Sequence, residues 1–161
     1  MSSGPLSSVK PPCPSNYYHV QQAQLICFSY KHWTGHSLLK LENPMDGKLL
    51  FEAPFVVVSH GVESDPIFNY GNRLALSLFR MKWPDFVSIP SRLSAEASDR
   101  CEREKLLSEV AVQGYSHDYK GMRVSSTGER FEITDASIWN LIDEKGTFCG
   151  QAACFDKWTM L

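Results

Sequence analysis

The chain lacks any apolar run approaching the roughly 20 residues that cross a membrane as a helix, so no membrane partner is expected. It lacks a dominant charge sign. The formal net charge of -2 gives no electrostatic case for direct nucleic-acid binding. It lacks a CxxC pair and any dense cysteine framework. Its cysteines are Cys13, Cys27, Cys101, Cys149 and Cys154, and an odd number at such spacing points to reduced thiols inside a cell. Cys149 and Cys154 differ by an odd number of positions, so a regular strand would point them to opposite faces. That argues against a shared metal, and the ligand spacing of a structural zinc site is missing. Finally, no acidic residue precedes Glu42. An organelle transit peptide has this property, but the segment is short and lacks arginine. A cytoplasmic location is expected, with the plastid as the alternative.

What is present reads as an ordinary globular protein. Hydrophobic residues make up 43% of the 161 and charged residues 21%, enough for one domain and a tail. Residues 1–16, rich in serine and proline, read as a disordered tail. From Tyr17 to about Trp33, Val20, Ala23, Cys27 and Tyr30 recur at helical spacing, with Ile26 and Trp33 on the same face. Leu25 and Phe28 fall on another side. A helix apolar on two sides needs two covering surfaces: the domain body and either a second copy of the chain or the C-terminal segment. Gly35 interrupts the helix, and this segment runs to residue 41. The Asp46-Gly47 pair predicts a turn before the domain proper, residues 49–158.

The stretch from Phe51 to Phe79 organises the rest. Phe55 to Val58 is a buried strand by its β-branched run. Ser59-His60-Gly61 ends it, and Asp65-Pro66 marks a turn. Ile67 to Tyr70 is a second strand, and Asn72 caps a helix from Arg73 to about Met81. Short helical turns follow to Pro90. Asp99 and Glu102 form a capping-box start to a helix that ends at Gly114. A meander closes the chain: Tyr119 to Ser125 with Met122 and Val124 on one face, Arg130 to Ile142 with a bulge near Ile138 and Trp139, and Thr147 to Phe155. Gly150, Ala152 and Ala153 leave space on that last strand, for a close-packed helix or for a cavity. The predicted class is α+β: a five-stranded antiparallel sheet, helices between strands 2 and 3, and an additional N-terminal helix. This order resembles that of the PAS fold.

LFEAPFVVVSHGVESDPIFNYGN, PSRLSAE and VSSTGERFEITDASIWNLIDEKGTFCGQAA resemble the MEKHLA domain, and the match runs from about Tyr18 to Trp158. The resemblance implies a PAS-related fold. MEKHLA domains close plant class III homeodomain–leucine-zipper transcription factors and also occur nearly alone in algae and cyanobacteria. With no homeodomain, zipper or lipid-binding START segment in it, this chain resembles the stand-alone type. In the plant proteins the domain is associated with control of dimerisation. The implied role is therefore regulatory or self-associating.

The residues themselves support two functional readings. The first is a non-enzymatic sensory or interaction module, a homodimer through the N-terminal helix and sheet, with a small ligand in a cavity between sheet and helices. Asn69, Arg92, Trp139 and Asn140 are expected to line it, with His60 and Gln151 as further ligand-binding candidates. Asn140 and Gln151 lie on neighbouring strands and are expected to face each other. Arg92, Arg123 and Arg130 have the fork that grips a carboxylate or phosphate. The second reading is a small enzyme or redox protein in which Asp65 orients His60 as a base; the bland alternative is that the two merely organise the turn. Neither a catalytic nucleophile nor a cofactor motif supports the second. The region read SRLSAE has no flavin-reactive cysteine, and residues 99–113 hold no histidine for haem.

Overall fold

The computed structural model describes residues 10–161. The first nine residues of the expected tail lie outside these. Pro14–His19 is already a 3₁₀ segment, in which Tyr17, Tyr18 and His19 all take left-handed backbone angles near φ 54. That break delays the first helix, α1, which runs Val20–Thr34 and stops at Gly35. Gly47–Phe51 is a short helix, α2, where the Asp46-Gly47 pair had predicted only a turn. The Asp46 carboxylate accepts from the backbone N–H of Glu42 and Asn43, each at 2.8 Å, and so sets the start of this helical stretch.

Then come β1 (Val56–His60), β2 (Phe68–Gly71), α3 (Arg73–Phe79) and α4 (Trp83–Phe86). After two 3₁₀ turns, α5 (Arg100–Gln113) leads into β3 (Tyr115–Val124), β4 (Arg130–Ile142), β5 (Phe148–Phe155) and β6 (Lys157–Met160). The sheet order is β2-β1-β5-β4-β3, antiparallel throughout, and β6 pairs with β4. The sixth strand was not foreseen. It resumes the direction of β5 after Asp156, pairing Phe131 with Met160 and Thr134 with Lys157.

Both faces of the sheet are covered. On one, Ala23, Ile26 and Cys27 of α1 pack on Val57, Trp139, Leu141 and Ala152. On the other, Val56, Phe131, Ile133, Ala136 and Phe155 meet Phe79 and Phe86. Phe68 stacks on Phe86 with centroids 4.2 Å apart, and Phe79 meets Phe131 edge-on at 5.4 Å. The small residues of β5 therefore serve both purposes: Ala152 admits α1, and Ala153 borders a cavity on the opposite face.

One expectation about parity needs correction. The bulge in β4 lies at Asp135 (φ 54), ahead of Ile138 and Trp139. It lets Phe131 and Ile133 share a face with Ala136 and Ile138 despite the change from odd to even numbers. In β3 the buried positions are Gly121 and Arg123, while Met122 and Val124 are only half-buried. Arg123 lies over the Tyr119 ring, 5.5 Å from its centroid, and fills the position an apolar residue would have taken.

Candidate functional site

The inner face of the sheet carries a cavity of about 60 Å³. Its apolar walls are Val58, Phe68, Phe79, Ile138 and Phe155, and its polar walls include His60, Ser94, Arg103, Arg123 and Gln151. His60, Arg103, Leu107 and Gln151 also border an outer cleft of about 200 Å³, which opens beside Asp65 and Arg92. A polar partition thus stands between the cavity and the outside. The cavity holds a few waters or a very small molecule, well short of the ~300 Å³ lower end of cofactor pockets.

The partition is a directional chain of hydrogen bonds. Arg103 donates to Ser91 Oγ at 2.8 Å. Ser91 Oγ lies 2.8 Å from His60 Nδ1, and His60 Nε2 lies 3.2 Å from Gln151 Oε1. Gln151 Nε2 donates to the Leu107 carbonyl at 3.0 Å and to Asn140 Oδ1 at 3.1 Å. Asn140 Nδ2 donates to the Ala111 carbonyl at 3.3 Å. Because backbone carbonyls only accept, both amide orientations follow. Gln151 then presents an acceptor to His60, so the proton of the neutral imidazole sits on Nε2 and bare Nδ1 accepts from Ser91. Burial, and after it the Arg103 guanidinium, hold the His60 pKa down at about 4.

Local sequence explains how these groups meet. His60 ends β1 opposite Gln151, and the preceding residue of β5, Gly150, has left-handed backbone, φ +126. A Cβ there would collide with the His60 carbonyl oxygen, so only glycine lets the strands close beside the imidazole. Asn140 and Gln151 are direct partners in the β4–β5 register, as expected, but Asn140 does not line the cavity as expected: its side chain is taken up by Gln151 and the Ala111 carbonyl.

The other expected lining residues are elsewhere. Trp139 faces α1: its Nε1 donates to the Ile26 carbonyl at 3.2 Å and Tyr30 packs edge-on at 4.9 Å. As the neighbour of Asn140 it necessarily points to the opposite face. Asn69 is exposed and bonds Gln22 and Ser59 on that same outer side. Arg92 is exposed and pairs with Asp65 at 3.1 Å. Arg130 likewise pairs with Glu96 at 2.9 Å. The expected His60–Asp65 orientation is therefore not made, since the carboxylate is engaged by Arg92 and both ring nitrogens by Ser91 and Gln151. Nor does Asp99 form the expected cap of α5; its Oδ2 accepts from Met122 N at 3.0 Å and lies 3.7 Å from Arg123.

Two residues escaped the sequence reading, Ser91 and Arg103. Ser91 and His60 have the spacing of a nucleophile and its base, yet the setting opposes that chemistry. The third position holds the neutral amide of Gln151, and the nearby Arg103 penalises an imidazolium. The thiols under α1 are equally muted: burial pushes Cys27 up to about 11 and Cys154 to about 12. On the far side of the sheet the network has an exit. Trp33 of α1 donates from Nε1 to the Asn140 carbonyl at 2.9 Å, and Ser29 Oγ bridges to Ile142.

Comparison with known proteins adds the following. A family model described as the MEKHLA domain matches residues 20–160. No curated protein matches the chain. Among solved structures, a light-oxygen-voltage domain from work with a flavin analogue aligns with TM-score 0.58 and 14% identity, over 71% of this chain and 83% of its own. A PAS domain of a protein from Colwellia psychrerythraea aligns with TM-score 0.56 and 14% identity, over 71% and 92%. The blue-light activated histidine kinase EL346 of Erythrobacter litoralis gives 0.56 and 14%, over 66% of this chain and 34% of the kinase. At such identity the likeness establishes the fold, PAS-like and α+β.

Proposed function

We propose, from the premise that this chain belongs to the MEKHLA domain family, that it is a PAS-like sensory module which binds a small molecule in its cavity and relays occupancy to α1. One observation carries this reading. The buried cavity-wall pair His60–Gln151 bonds Asn140, whose backbone carbonyl accepts from Trp33 on the opposite face. A molecule that repacks the wall moves a strand on which α1 is seated. Binding rather than catalysis is the proposed activity, because the imidazole has both nitrogens engaged and a depressed pKa. Similarity to sensor domains and a blue-light activated kinase agrees with a sensory role.

The relay is tested by amide hydrogen exchange in Gln151→Leu, which cuts the chain at its centre. Faster exchange in residues 20–34 is expected, by about tenfold at the slow amides, with β3 and β4 still protected. Equal exchange in α1 of the two proteins would remove the relay.

Self-association is the proposed output. Phe28 on the outer side of α1 is 50% exposed, and with Leu25 it borders a cleft against Ile142 and the Asp143–Lys145 loop. An exposed aromatic at such an edge is a fitting anchor for a second copy. Sedimentation velocity is expected to show a concentration-dependent dimer that Phe28→Glu converts to monomer. A wild-type monomer at every concentration would refute this output.

A further inference from the structure

Arg103 and Arg123 come from different elements, α5 and β3, and both border the inner cavity. They are 7% and 8% exposed. A buried guanidinium costs several kcal/mol of desolvation and persists where partners offset it. Here the partners are incomplete. Arg103 makes one hydrogen bond, to Ser91, and its nearest carboxylate is Glu104 at 3.7 Å, a side chain 64% exposed. Arg123 donates to the Met122 carbonyl at 3.0 Å and to the Tyr119 hydroxyl at 3.3 Å. Asp99 stands 3.7 Å from it and spends the same oxygen on Met122 N. Each guanidinium has more donors than it uses among the described residues. Burial, and then the charge of Arg123, lower the Arg103 pKa to about 10, as expected of two cations facing one space.

Within the reading of this cavity as a ligand site, we propose that its ligand is a small carboxylic acid with a short apolar body, the carboxylate bridging Arg103 and Arg123. A planar carboxylate matches the guanidinium fork and accepts from both cations at once. Tyr119, whose hydroxyl accepts from Arg123, also lines the cavity. Apart from the His60–Gln151 edge, the rest of the surface is mainly apolar, with Phe68, Phe79, Ile138 and Phe155, and selects a hydrocarbon body. A volume of about 60 Å³ restricts that body to a few carbons unless it extends past His60 and Gln151 into the outer cleft. A free phosphate has the charge but no group for the apolar wall.

Calorimetric titration of the full chain tests this with straight-chain carboxylates from acetate to hexanoate and benzoate, the primary amides of the same skeletons, and inorganic phosphate. Saturable binding of the acids is expected. Affinity should rise with each carbon while the apolar wall fills, then fall. The matching amides should bind at least about tenfold more weakly, the loss expected for a charge-assisted bond. Arg103→Met and Arg123→Met should each weaken the best acid by about tenfold or more. If either does not fold, Arg103→Lys and Arg123→Lys keep the charge and lose the fork, and the same order of loss is expected. Equal affinity for acids and amides would overturn the carboxylate assignment while leaving a ligand cavity in place. Phosphate binding without carboxylate binding would overturn it too. If none of these compounds binds, both the assignment and the ligand reading of the cavity fall. Unchanged exchange in Gln151→Leu would instead strike only the relay.

Discussion

Asn72→Ala is expected to destabilise the fold by roughly 4 kcal/mol or more, one of the largest single-residue effects in the domain. The side chain is fully buried. Its Oδ1 accepts from Val57 N and Ala75 N, both at 3.1 Å. Its Nδ2 donates to the Phe55 carbonyl at 2.8 Å and the Leu50 carbonyl at 3.2 Å. One amide thus ties the end of α2, the start of β1 and the first turn of α3. Truncation takes the partner from Val57 N, Ala75 N and the Phe55 carbonyl, each costing about 1–3 kcal/mol before relaxation, while the Leu50 carbonyl keeps its bond from Ala53 N. Cap loss alone would cost only about 1 kcal/mol, so the magnitude separates the two views of this residue. Urea unfolding should show a lower midpoint at unchanged slope, and the melting point should fall by about 10 °C or more. Asn72→Asp should fare no better, because an oxygen then faces the Leu50 and Phe55 carbonyls. A loss below about 1.5 kcal/mol in Asn72→Ala would reduce it to an ordinary cap.

How much of this was legible in the chain depends on which physical signal each residue carried. Asn72 stood before an amphipathic run, so its capping role was visible. Its bonds to Leu50 and Phe55 are tertiary and left no local trace. Asn140 and Gln151 could be placed on neighbouring strands from their runs alone, and a register shift between Leu141 and Ile142 brings them directly opposite. Trp139, assigned to the same cavity, was excluded by that logic, since neighbours on a strand point apart. Arg103 sits in the run DRCEREK, which reads as a solvated helix face. Only the approach of Ser91 and His60 buries it. Arg123 was named with Arg92 and Arg130 for its guanidinium fork, but nothing local separated it, the buried one, from the two that pair on the surface with Asp65 and Glu96. The fold followed from periodicity and turn chemistry, which are local. Ser91 and Arg103 depart from apolar-inward patterning, so a reading built on that pattern left these two members of the polar wall outside.

His60 ties the stability of the protein to pH through that wall. With a folded pKa held near 4 and an unfolded value near 6.5, the unfolded chain binds the proton first as pH falls. The stabilisation is therefore complete above pH 6.5 and is lost progressively between 6.5 and 4. The expected loss from pH 7 to pH 5 is about 2 kcal/mol from this one group. The network gives the structural reason. An added proton must enter at Nδ1, turning the acceptor of the Ser91 hydroxyl into a donor and placing a second cation beside Arg103. The Gln151 hydrogen bond and the Glu63 carboxylate pull in the other direction, but more weakly than burial and Arg103. Urea midpoints of wild type and His60→Gln, measured at both pH values, isolate the contribution, because carboxylate titration is common to the two proteins. The variant should be less stable at pH 7, and its decline to pH 5 should be smaller by about 2 kcal/mol. In wild type, the imidazole resonances of His60 should stay in their neutral position until near pH 4. Equal pH slopes in the two proteins, or titration of that ring near 6.5, would show that His60 is neither locked neutral nor a source of the acid sensitivity.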